Sequence, residues 1–199
     1  QKLLELNMPT EFHFADTVEQ MRDMYMRDSD ESPHSCMDSR HRFGLAGDVR
    51  PIDFYAHCPV TRGAYISRGS TVLARTILWN CIDTQKWFHG RVYSSRGVHS
   101  DDLIKQLEAQ GVKSISTQRR VISTCKFTMP VAVMNGFESC PMPYFDQKPF
   151  QLLGVKLGGD VFHVVMTNET SFAKLQMGKY ETPSLTSTSG SYQWSASTQ

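Results

Sequence analysis

"TVLARTILW" (residues 71–79) and "KWFHGRVY" (residues 86–93) decide how this chain is read. Both alternate with a period of two, the mark of a strand whose successive side chains point to opposite faces. In the first, Leu73, Arg75, Ile77 and Trp79 share one face, and Val72, Ala74, Thr76 and Leu78 the other. In the second, Phe88, Gly90 and Val92 form a plain core surface, opposite Trp87, His89, Arg91 and Tyr93. Pairing across the hairpin would then bring Arg75, Trp79, Trp87, His89, Arg91 and Tyr93 onto a single sheet face. Such a face is either core under a helix, its arginines snorkelling to water, or a platform on which bases stack.

Outward from this pair, "GAYIS" (63–67) joins "TVLARTILW" through a tight turn at Arg68-Gly69, and "TEFHF" (10–14) is a further strand. "ADTVEQMRDMYMRDSD" (15–30) has Asp16 as N-cap, Glu19 three residues on, and Val18, Met21 and Tyr25 at helical spacing. Pro51 opens a short helix that Pro59 ends. "SDDLIKQLEAQG" (100–111) predicts a helix capped by Ser100 and closed by Gly111, with Asp101 and Asp102 near its positive end. "RVISTCKF", "PVAVM", "FQLLGVKL" and "VFHVVMT" are further strands, the last two joined through Gly158-Gly159. The expectation is an α+β class: one domain over residues 1–181, an antiparallel sheet with two to three helices. An extended polar arm follows over 182–199, with Ser or Thr at ten of its eighteen positions. Tyr192 and Trp194 would anchor that arm on a sheet edge or a second copy, which predicts a homo-oligomer.

A net charge of +1 counts against a strongly basic nucleic-acid coat protein, so any anion-binding surface must arise by local segregation of charge. Lys113, Arg119, Arg120 and Lys126 form one such local cluster. The five cysteines include no CxxC pair, which points to reduced thiols. His34, Cys36, Asp38 and His41 crowd one loop without the spacing of an established catalytic or metal motif. With no P-loop, GxGxxG, HExxH or GxSxG, the sequence predicts no enzyme, no metal and no cofactor. No apolar run is long enough to span a bilayer, and no signal peptide opens the chain, which leaves a removed leader open.

"SPHSCMD", "DFYAHCP", "VLARTILW", "GRVY" and "PMPYFD", in that order over roughly residues 30–150, resemble a group of tailed-bacteriophage proteins. The shared pattern is Ser35-Cys36-Met37, Ala74-Arg75 with Trp79, Arg91-Val92-Tyr93, and Pro143-Tyr144 with Asp146. The resemblance implies a phage protein in the host cytoplasm, and within such phages a single-stranded-DNA-binding cofactor of an RNA polymerase. The expectation is therefore a non-enzymatic accessory protein binding single-stranded DNA or RNA without sequence preference, in viral transcription or replication. Trp79, Trp87 and Tyr93 would stack bases, beside His89, while Arg75, Arg91, Lys113, Arg119, Arg120 and Lys126 would meet phosphates. The alternatives are a protein-interaction module acting on a host enzyme through the same aromatic surface, and a structural virion component.

Overall fold

The computed structural model describes residues 8–26, 33, 37, 49–81, 85–115, 124–130, 151–158, 161–167, 186–188 and 191–193. Its main sheet runs β1 (Glu11–Ala15), β2 (Thr61–Arg68), β3 (Thr71–Cys81), β4 (Lys86–His89) and β6 (Lys113–Ser114), while β5 (Tyr93–Ser94) pairs with β3. Three helices are described: α1 (Val18–Met26), α2 (Pro51–His57) and α3 (Gly97–Ala109). The α+β class holds. One pair departs from the antiparallel expectation: β4 and β6 run parallel, with Phe88 opposite Lys113 and His89 opposite Ser114. Parallel neighbours need a long crossover, and α3 supplies it.

A second sheet is ordered β7 (Thr124–Pro130), β9 (Val161–Thr167), β8 (Gln151–Gly158), and β10 (Thr186–Thr188) pairs with β11 (Ser191–Gln193). In the polar arm Ser187 thus lies opposite Tyr192, whereas Trp194 lies outside the described residues.

The two faces of the main sheet follow from period-two alternation. Ala64, Ile66, Ala74 and Leu78 meet Leu103 and Leu107 of α3, with Phe12, Phe14, Trp87 and Val92 at the margin. Burying each leucine contributes about 1.5–3 kcal/mol. On the other face, Gly63 lies against Met21 and Met24 of α1, and Trp79 makes an edge contact with Tyr55 of α2 at 5.7 Å.

Two helix starts differ from the sequence expectation. Thr17, not Asp16, caps α1: its Oγ1 accepts from the Gln20 N–H at 3.2 Å, and Gln20 Oε1 accepts in return from Thr17 N–H at 3.1 Å. Gln20 therefore closes the capping box that Glu19 was expected to form. Helix α3 begins at Gly97, three residues before Ser100, which instead contacts Ser94 Oγ at 2.6 Å.

At the start of α2, buried Asp53 accepts from the Arg50 N–H at 2.8 Å and pairs with Arg22 Nε at 2.8 Å. Burial nevertheless pushes its carboxyl above the ordinary aspartate range, against the opposing pull of Arg50 and Arg22. A folded pKa above the unfolded one adds stability below the unfolded value, and this is lost as pH rises through the folded value. The stability gap between wild type and Asp53→Asn is therefore expected to be largest near about pH 3 and to shrink toward about pH 7. Paired thermal melts across that range check it; a gap that widens with pH would show that the Arg22 pair dominates.

Candidate functional site

The stretch that joins β4 to α3 leaves the regular sheet. Leu78 faces His89 and Arg75 faces Tyr93, so four residue steps on one strand oppose three on the other. That is a β-bulge, which reverses the facing of everything after it. Gly90 N–H still donates to Ile77 O at 2.9 Å, and Thr76 Oγ1 donates to Arg91 O at 3.0 Å, which ties the bulge to β3. On the other edge, among the described residues, β6 pairs with β4 at Phe88 and His89. Beyond His89 the strand edge toward β6 pairs with no strand among the described residues. Among the described residues the parallel pairing thus ends where the bulge begins.

The chain then runs through Ser95 and Arg96 into α3. Ser95 N–H donates to Leu73 O at 3.1 Å, which holds the turn to β3. Arg96 is the N-cap residue and supplies no side-chain cap, and the first turn of α3 carries no acidic residue. A Cβ placed on Gly97 would meet nothing within 4 Å among the described residues, so the space beside that first-turn glycine is open there. Free amides and the positive end of a helix dipole attract anions. His99 in that turn is held below the ordinary histidine range, chiefly by burial and then by the nearby Arg68 charge, with Arg96 acting the same way and Asp102 opposing. Arg68, Arg96 and the helix terminus thus make one electropositive corner at the start of α3.

The base-stacking platform does not form. Trp79 pairs with Phe88, whereas Trp87 pairs with Asn80, so the two tryptophans lie on opposite sheet faces. Arg75 is 0% exposed, Trp79 3% and His89 7%. Arg75 donates Nη1–H to Met24 O at 2.8 Å and Nη2–H to Pro33 O, with its guanidinium 4.3 Å from the Tyr25 ring centroid. It is a buried structural tie, not a phosphate contact. His89 Nδ1 lies 2.9 Å from Gly90 O. Trp87 is half-buried, its ring 4.4 Å from the Arg62 guanidinium.

Arg91 is exposed and Tyr93 half-buried, and the bulge puts Tyr93 on the Arg75 side, away from Trp87 and His89. Lys113 is exposed on β6. Lys126 belongs to β7 in the second sheet, and Arg119 and Arg120 lie outside the described residues, as does the Cys36 loop apart from Pro33 and Met37. Sequence reasoning missed Arg68, Arg96 and Gly97. The signal was "SSRG" before an amphipathic run, which places an arginine and a glycine at a strand-to-helix turn.

No protein-family model matches the chain, and no curated protein matches it. Among solved structures it is similar to an acyl-CoA N-acyltransferase from Pseudomonas aeruginosa, at 14% identity and TM-score 0.32, covering 79% of this chain and 98% of that one. It is also similar to an N-acetyltransferase from Staphylococcus aureus Mu50, at 11% identity and TM-score 0.31, covering 80% and 96%. The expectation of a non-enzymatic protein that binds single-stranded nucleic acid on such a platform is corrected: the residues meant to form the platform are buried or split between two faces. The protein-interaction alternative used the same surface and falls with it. At these identities and TM-scores the likeness itself assigns no activity to this chain.

Proposed function

We propose that the protein binds an acyl-coenzyme A-type thioester beside the start of α3, where the described pairing of β4 with β6 ends, and uses it as an acyl donor. The observation that carries this reading is the bulge, at the end of the described β4–β6 pairing, in the stretch that leads into the electropositive start of α3. An unpaired strand edge pairs with an extended, amide-bearing chain, as in strand addition. A helix N-terminus free of carboxylates takes a diphosphate. One ligand class carries both groups in that order, a pantetheine arm ending in a diphosphate. When bound, such a molecule supplies an activated acyl group. The chain's own part is to seat the diphosphate on the Gly97 and Val98 amides near Arg96 and Arg68, and to receive the arm at the end of the β4–β6 pairing.

The resemblance to tailed-phage proteins supports a setting in the host cytoplasm. No helix among the described residues is long and apolar enough to cross a membrane.

Coenzyme A should raise the melting temperature of the wild type in a concentration-dependent way, because a ligand held only by the folded state stabilises it by mass action. Gly97→Asp should abolish that rise. The new carboxylate occupies open space and suits a helix start, so the variant folds at least as well as wild type while repelling the diphosphate. No shift with coenzyme A in wild type, or an undiminished shift in Gly97→Asp, overturns the reading.

A further inference from the structure

At the other end of α3, roughly 20 Å away along a 13-residue helix, lies a second concavity. Its volume is about 470 Å³, and Arg62, Lys86, Trp87, Gln110 and Lys113 are among its lining residues. That volume falls in the range of small-molecule sites. Three of the described lining residues are cations and none is acidic. The Arg62 guanidinium is held against two rings, 4.0 Å from the Phe14 centroid and 4.4 Å from that of Trp87. Its Nε is buried without a hydrogen-bond partner. The Asp16 carboxylate lies 3.5 Å from Nη1 and is exposed.

A guanidinium whose faces rest on rings keeps its in-plane N–H groups in a fixed fork, the geometry that receives two oxygens of one anion. Gln85, also in the lining, has φ of 56°, the left-handed region that a non-glycine residue seldom occupies. Strain of that kind concentrates at ligand sites. The end of α3 would alone repel an anion, but two of its last carbonyls, Leu107 O and Glu108 O, already accept hydrogen bonds. Gly111 N–H donates to Glu108 O at 2.9 Å and Val112 N–H to Leu107 O at 2.9 Å. Lys86 and Lys113 then set the sign of the cavity.

We propose that this cavity is a separate binding site for a small phosphomonoester, anchored by Arg62 and completed by Lys86 and Lys113. The phosphoryl group would take the Arg62 fork and the two ammonium groups, leaving room for a small organic body between Trp87 and Gln110. The site shares no residue with the one at the start of α3 and does not depend on that reading.

The test titrates inorganic phosphate, against chloride at equal ionic strength, while following tryptophan fluorescence and the melting temperature. Wild type and Gly97→Asp should respond with the same affinity. The double reversal Lys86→Glu with Lys113→Glu should weaken it by about tenfold or more. Both lysines are exposed, so this variant keeps the fold, and unchanged melting without phosphate confirms that it does. A wild type that does not respond to phosphate overturns the proposal. So does a response that Gly97→Asp removes and the double reversal retains, which would place the phosphate at the start of α3.

Discussion

Arg75→Ala is expected to destabilise the protein by about 4 kcal/mol, the largest single effect that this structure implies. The side chain is wholly buried, and its two Nη groups reach carbonyls 51 and 42 residues away in sequence, Met24 O and Pro33 O. Truncation leaves both oxygens without that donor, at about 1–3 kcal/mol each, and opens a cavity beneath Tyr25. Arg75→Lys should fall between the two, since an ammonium lacks the planar fork that spans both carbonyls. Urea denaturation of the three proteins measures this directly. If Arg75→Ala unfolds at the wild-type midpoint, the buried arginine is not a tie between β3, α1 and Pro33.

The same residue shows where sequence stops being informative. Alternation correctly put Arg75 and Trp79 on one face of β3, and the strand itself is present as expected. Its exposure was not legible, because Met24 and Pro33 lie far off in sequence and nothing near Arg75 names them. The face shared by Trp87, His89, Arg91 and Tyr93 assumed unbroken period-two geometry across eight residues. One extra residue between His89 and Tyr93 was enough to reverse the second half, and only Gly90 hints at the irregularity. The parallel direction of β6 was equally silent, since an apolar pattern specifies which face is buried and not which neighbour a strand takes. The start of α3 was misplaced for a different reason. Ser100, Asp101 and Asp102 are good first-turn residues, whereas the true N-cap, Arg96, offers no side-chain acceptor for a capping rule to detect. That missing cap is also what leaves amides open for an anion. The residue that hid the helix start is part of the candidate site.

Gly63→Ala should cost about 1–3 kcal/mol through overpacking. Gly63 sits in β2 between Ala15 of β1 and Ile77 of β3, directly beneath α1. A Cβ there would lie 2.6 Å from Met24 Cε, 2.9 Å from Met21 Sδ and 2.9 Å from Ala15 Cβ. The methionine ends are flexible, but both side chains are buried with little room to turn, and Ala15 is fixed by its place in the paired strand. Relief must therefore come from lifting α1 off the sheet. That movement also draws Met24 O away from Arg75, so the two sites are coupled through the helix. A double-mutant cycle reads the coupling: Gly63→Ala with Arg75→Ala should cost less than the sum of the two single changes. Met24→Ala should likewise be better tolerated in the Gly63→Ala background than in wild type, because it removes the atom that clashes. Additive costs in both cycles would mean that α1 does not move, and that the glycine is not what lets it lie close enough for Arg75 to hold it.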